Sequence, residues 1–303
     1  MSLVIVGSVG LDTITTAKGS ICEALGGSAV YGALAACNFT DVHLVGVVGE
    51  DFPDEHIKLL KDHKIILDGL YQETGKTFRW HGVYEDWNHA TTLKTELNVF
   101  AEFCPDIPLS YKNCRSLLLG NIHPELQLKV LNSVSHYQFL ACDTMNYWIS
   151  ICPDKVTEVI RRVHIVFINE DEIRQFTNCD DIYSAAKKIL DLGPRYVIVK
   201  RGEYGSVTVT RDNYFFVPAY PVSEVIDPTG AGDSFAGGFM GYMANQDGLA
   251  WSSIQTGIRY GTVMAALNVS AFSVEKITNV DRKNLDDMKQ ELVDWTSGAH
   301  DGL

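Results

Sequence analysis

The chain lacks any apolar run approaching 18 residues, so no segment reads as a membrane-spanning helix. It also lacks positive charge: 25 Lys and Arg stand against 38 Asp and Glu, a net charge of −13. Such a balance argues against nucleic acid or an anionic membrane as partner. Any phosphate ligand must therefore be held by local donors and a cation, not by a global field. The seven cysteines (22, 37, 104, 114, 142, 152 and 179) include no Cys-x-x-Cys pair. Their scatter, with several in apolar runs, argues against a zinc site or a disulfide framework and favours buried thiols in a reducing cytosol. No basic leader with a cleavage site precedes the strand-like Leu3–Val9, so the expectation is a cytoplasmic protein. Internal repeats, low-complexity tracts and linker-like runs are missing as well.

What the chain does have is a core. Hydrophobic residues make up 46% and charged residues 21% of 303 positions, the proportions of a globular protein. Short β-branched runs alternate with helical patterns: Leu3–Val9 then Ser28–Cys37, Val42–Val48 then Pro53–Lys64, Ser116–Gly120 then Pro124–Ser135. The alternation continues with Gln138–Cys142 then Pro153–Val163, and His164–Ile168 then Asp181–Leu192, before the strand Tyr196–Lys200. Nearly all-apolar strands imply helices on both faces, and the βαβα order implies a mainly parallel sheet in a three-layer α/β fold. Ser206–Thr210 and Tyr214–Pro218 read as a hairpin, and the last third as helical over Gly230–Ala244, Ala250–Leu267 and Arg282–Asp294. Lys76–Phe103 breaks the pattern with polar/apolar alternation and aromatics. It reads as two or three exposed antiparallel strands, joined by Thr13–Ala24, forming a flap over the sheet or a dimerisation surface. The expectation is one domain over residues 1–303, with lid insertions near 13–24 and 76–103.

The most informative stretch is Asp227-Pro228-Thr229-Gly230-Ala231-Gly232-Asp233-Ser234. Gly230, Ala231 and Gly232 place almost no side chain before the first amides of a helix, so those N–H groups can meet an anion. Asp233 on the first turn cannot bind phosphate, because the charges repel. It can accept a proton from a hydroxyl that attacks the phosphate. Capping by Asp and Gly is the plainer reading of the same residues.

These residues, with others in the same order, resemble the ribokinase/PfkB carbohydrate kinase family. Its Asp-x-Thr-Gly-Ala-Gly-Asp signature stands at Asp227–Asp233, its Asn-x-x-Glu motif at Asn169–Glu172, and its N-terminal pieces at Gly7–Asp12 and Gly26-Gly27. A Gly-x-x-Gly turn, Gly202–Gly205, follows Lys200. The resemblance spans essentially the whole chain and implies a three-layer ribokinase-like fold with a small β-strand lid. It implies transfer of the γ-phosphate of ATP to a hydroxyl of a sugar or sugar-like molecule. Asp233 would be the general base, and the Gly230, Ala231, Gly232 and Asp233 amides the anion hole.

By the same resemblance, Asp12, Gly26 and Gly27 bind the acceptor. From its place in the flap, Arg79 would reach an acceptor carrying a phosphate or carboxylate. Arg79 reads equally well as a solvated strand residue. Lys200, Gly202, Gly205, Thr229 and Asn169 would serve the nucleotide. Asn169 and Glu172 would organise Mg²⁺, through water, while a helix-capping box accounts for the same spacing. In some family members the counterparts of Asp227 and Thr229 help to hold a monovalent cation, so K⁺ joins ATP and Mg²⁺ among the expected cofactors. One position departs: where the family often carries asparagine, four residues after the second glycine, this chain has Tyr31. The partner is a small carbohydrate-like molecule, with homodimerisation through the lid as a further option.

Other readings compete. Gly7-Ser8-Val9-Gly10 lacks the third glycine of a dinucleotide fingerprint, which counts against an oxidoreductase. A nucleoside kinase of the same superfamily would differ only in its acceptor pocket, where Tyr31, Phe78 or Trp80 could stack a base. A sugar-binding sensor without turnover would have no use for Asp233.

Overall fold

The computed structural model describes residues 2–112, 114–134 and 137–297. The chain begins with β1 (Ser2–Val6), β2 (Gly10–Thr16), β3 (Gly19–Gly26), α1 (Ser28–Ala36), β4 (Asp41–Gly49), α2 (Asp54–Asp62) and β5 (Ile66–Glu73). It continues through β6 (Phe78–Tyr84), β7 (Ala90–Glu96), β8 (Ser116–Leu119), α3 (Pro124–Ser133), β9 (Phe139–Cys142), α4 (Asn146–Ile151) and α5 (Pro153–Ile160). Then come β10 (Ile165–Asn169), α6 (Glu170–Thr177), α7 (Ile182–Leu190), β11 (Tyr196–Lys200), β12 (Ser206–Val209) and β13 (Tyr214–Val217). Four helices close the chain: α8 (Ala231–Met243), α9 (Trp251–Val269), α10 (Glu275–Thr278) and α11 (Arg282–Ser297). Helix α3 stops short of the expected Ser135, which lies outside the described residues, as do Met1 and residues 298–303 of the expected domain.

Nine strands form one sheet in the order β13-β12-β11-β10-β9-β8-β1-β4-β5. Every pair from β5 to β11 is parallel; the β11–β12 and β12–β13 pairs are antiparallel, so β12 alone in this sheet runs against the others. Alternate side chains of a strand feed opposite faces. Leu3 and Ile5 of β1 join the core under α1, α8, α9 and α11, whereas Val4 and Val6 join the core under α3, α5, α6 and α7. This is the three-layer arrangement expected from the apolar strands.

Small residues bring α1 and α8 into backbone contact. A Cβ at Gly237 would overlap the Gly32 carbonyl, and one at Gly241 would lie 2.8 Å from Ala36 Cα. The glycines here serve close approach. They pack the two helices against each other from their middles to their C-terminal ends.

A second sheet, β3-β2-β6-β7, forms the lid. The antiparallel strands expected within 76–103 are β6 and β7; this hairpin meets the β2–β3 hairpin through a parallel β2–β6 pair, with Asp12 opposite Trp80. The lid is shorter than expected at its far end. Asn98–Glu102 is a short 3₁₀ turn, and Phe103 is buried in the main body. Strand β5 was not foreseen, because Asp68 and Gly69 interrupt its apolar pattern.

Candidate active site

The acceptor side is built on β2 and the start of α1. Asp12 is 4% exposed, and burial first, then the Asp227 and Asp233 carboxylates, push its carboxyl up to about 8; an amide donated by Gly27 opposes them. A Cβ at Gly26 would overlap the Asp12 carboxylate, so this glycine leaves the carboxylate its place. Gly27 caps α1 at φ 100°, a left-handed value that disfavours other residues. Register puts Trp80 opposite Asp12, with Tyr84 four residues further along β6; the three side chains therefore share one face of the lid.

The phosphate side is the start of α8. Gly230 caps the helix at φ 76°, and Asp233 stands in its first turn. Burial, then Asp143, push the Asp233 carboxyl up to about 7 against the pull of Lys200. The Ala231 amide donates to the Pro228 carbonyl at 3.2 Å, which removes it from the expected anion hole. Gly232 and Asp233 remain as first-turn amides with no intrahelical carbonyl.

Asp227 is fully buried and fastens the loop that precedes this turn. Its Oδ1 accepts from the Thr229 amide at 2.9 Å and its Oδ2 from the Ser273 amide at 3.0 Å. Asn268, which the motif did not reveal, donates to the Thr229 carbonyl at 2.7 Å and accepts from Ser234 Oγ at 3.0 Å. It thereby ties the loop to the first turn of α8.

A charged group lines the carboxyl ends of β9, β10 and β11. Lys200 Nζ donates to Asp143 Oδ2 at 2.6 Å, and a Cβ at Gly232 would stand 3.0 Å from that ammonium. Burial opposes the Lys200 charge, yet Asp143 and Glu172 outweigh it and hold its pKa above the usual range. Asn169 and Glu172 form a reciprocal capping box on α6, with bonds of 2.8 to 3.0 Å. Burial pushes Glu172 up to about 7.

Several contacts join the lid to this body. Thr229 Oγ1 donates to the Tyr84 hydroxyl at 3.3 Å, His89 Nε2 meets Asp171 Oδ2 at 3.1 Å, and Asn88 Oδ1 fills the space over Gly202. Gly202 and Gly205 bracket a short 3₁₀ turn.

A buried carboxylate facing a glycine-lined helix start, with an ammonium beside it, is the equipment for moving a phosphoryl group. Residues 6–279 match the family described as pfkB family carbohydrate kinase. The chain belongs to the PfkB family. A cytidine kinase of Thermococcus kodakarensis is 32% identical over 247 residues, covering 79% of this chain and 87% of that protein. A nucleoside kinase of Methanocaldococcus jannaschii is 26% identical over 227 residues, with 69% and 71% covered. The ribokinase structure from Giardia lamblia superposes with a TM-score of 0.81 at 20% identity, covering 96% of this chain and 99% of that one. This PfkB protein is thus a phosphotransferase, and no helix among the described residues is long and apolar enough to cross a membrane.

Within this PfkB site, Asp12, Gly26, Gly27, Asp227, Thr229, Gly230, Gly232 and Asp233 come together, and Asn169, Glu172 and Lys200 line the adjoining edge. Arg79 does not join them. It pairs in register with Leu11, so it faces away from Asp12. Its guanidinium is held by Glu23 at 2.7 Å, Asp51 at 2.8 Å and the Thr77 carbonyl at 3.0 Å. No three His, Cys, Asp or Glu side chains among the described residues form a cage for a metal ion. Each Glu172 oxygen accepts one bond within the capping box and keeps further lone pairs.

Proposed function

We propose that this protein phosphorylates a hydroxyl of a nucleoside, with ATP as donor, Asp12 as acceptor-binding residue and Asp233 as general base. The observation that carries the reading is one cleft holding two carboxylates, Asp12 and Asp233, pushed up to about 8 and about 7, beside the first-turn amides of Gly232 and Asp233. A carboxyl near 7 is matched to taking up a proton around neutral pH.

In the proposed step the acceptor oxygen attacks the γ-phosphorus of ATP, and its proton passes to Asp233. The bond from that phosphorus to the β–γ bridging oxygen breaks, and ADP leaves. The Gly232 and Asp233 amides and the Lys200 ammonium stabilise charge on the phosphate oxygens. Bound Mg²⁺ would neutralise part of that charge, with Glu172 reaching it through water. The Asp227 oxygens each keep a lone pair beyond their amide bonds, which supports K⁺ as a second cation; comparing rates in K⁺ and Na⁺ checks this.

Two observations favour a nucleoside: the names of the two relatives, and the aromatic face of Trp80 and Tyr84 beside Asp12. A free sugar is the second reading, since Asp12 can accept from vicinal hydroxyls of either. A cytoplasmic setting belongs to the proposal, supported by seven unpaired cysteines. So does lid-to-lid dimerisation, supported by the exposed strand β7 with Leu93 57% exposed; light scattering of wild type and Leu93→Glu tests it.

ADP release with MgATP over nucleosides, sugars, polyols, sugar acids and sugar phosphates tests the function. Turnover on a nucleoside, lost by about 10² to 10⁴ in Asp233→Asn, is the expected result. No turnover above background on any acceptor would sink the reading in favour of a sensor.

A further inference from the structure

Tyr31 is 1% exposed, and its hydroxyl has no hydrogen-bond partner. An unmet buried hydroxyl costs stability unless something else compensates for it. The placement of this one shows what that is. Tyr31 is the fourth residue of α1, and long side chains on a helix lean toward its N-terminus. Its ring lies on Gly230, where a Cβ would overlap the ring carbons. Thr229, next to Gly230, donates to the Tyr84 hydroxyl; burial first, then the charges of Asp12, Asp227, Tyr84 and Asp233, hold the Tyr31 phenol protonated, well above the usual tyrosine range. It is therefore a donor in a cleft otherwise rich in acceptors.

We infer that Tyr31 is a specificity residue: its hydroxyl donates to the oxygen of an acceptor hydroxyl that in turn donates a hydrogen bond to an Asp12 oxygen. An alcohol oxygen can donate and accept at once, so one substrate hydroxyl satisfies both side chains. A hydrogen in its place satisfies neither. The chemical class selected is thus a nucleoside with an intact ribose diol, over its deoxy counterparts. A site built to bond a hydroxyl rejects the analogue lacking it because its own polar groups stay unpaired. The inference rests on the kinase reading given above.

Tyr31→Phe keeps the ring on Gly230 and removes only the donor. Kinetics of wild type and variant would be compared on cytidine, uridine, adenosine and inosine, each with its 2′-deoxy and 3′-deoxy forms. The variant should lose about tenfold or more in kcat/KM on the ribonucleoside, the size of one hydrogen bond to a neutral group. Its preference over one of the two deoxy forms should shrink by a similar factor, with KM for ATP unchanged. The ligand-free melting temperature should hold or rise, since an unmet polar group is gone. Unchanged selectivity between ribo and deoxy acceptors in an active variant would overturn the inference and leave the kinase reading intact. Wild-type protein inactive on every nucleoside would overturn both.

Discussion

Lys200 and Asp143, 57 residues apart in sequence, form a 2.6 Å ion pair at the carboxyl edge of the sheet. The pair acts on Asp233 with opposite signs: Asp143 raises its pKa and Lys200 lowers it. Lys200→Met should therefore move the acidic limb of the pH–kcat/KM profile to higher pH, and Asp143→Asn should move it lower. Parallel shifts in both variants would contradict this electrostatic account. Each variant leaves one buried charge unpaired, a loss of about 3–5 kcal/mol in comparable cases, visible in denaturant titrations.

Asp12 makes the ligand-free protein pH-sensitive. Its carboxyl sits at about 8 in the folded chain against 3.8 for an ordinary aspartate. Between those values the folded state holds a proton that the unfolded chain has released, so rising pH favours unfolding. The contribution is complete below about pH 4 and gone above about pH 8. Asp12→Asn should flatten the fall in melting temperature between pH 5.5 and 8.5. An equally steep fall in the variant would assign the effect elsewhere, Asp233 being the next group with the same sign.

Arg79 is predicted to serve the lid and not the acceptor. Arg79→Met breaks its contacts with Glu23, Asp51 and the Thr77 carbonyl. Melting should drop by a few degrees while KM for an uncharged nucleoside stays within about twofold, as for loss of partly exposed ion pairs. A selective rise in KM for a phosphorylated acceptor would instead place Arg79 in the site.

Gly237→Ala should unsettle α8, because its new methyl meets the Gly32 backbone. Overpacking of this kind costs about 1–3 kcal/mol. Both the denaturant midpoint and kcat should fall, since Asp233 rides on the same helix. An unchanged midpoint would mean that α1 and α8 can separate freely.

The sequence carried the local features well. Asn169 and Glu172, three apart after a strand, are indeed a capping box, and the glycine run before Asp233 is indeed a helix start. Contacts made across long separations were not legible. Nothing marked Asp143 as the partner of Lys200, or Asn268 as the tie to Thr229, because each pairing depends on which strands and helices become neighbours. The parallel pairing of β2 with β6 was hidden for the same reason, and with it the fact that Arg79 and Asp12 face opposite ways. The Ala231 amide was misjudged because the turn from Pro228 closes on it.

Asp12 lies on the small sheet, whereas Asp227 and Asp233 belong to the main body. Their mutual repulsion is part of what keeps Asp12 protonated. A swing of the small sheet away from the body would weaken that repulsion and let the proton go. Between the ordinary aspartate range and about pH 8, opening of the cleft would then release a proton to the buffer.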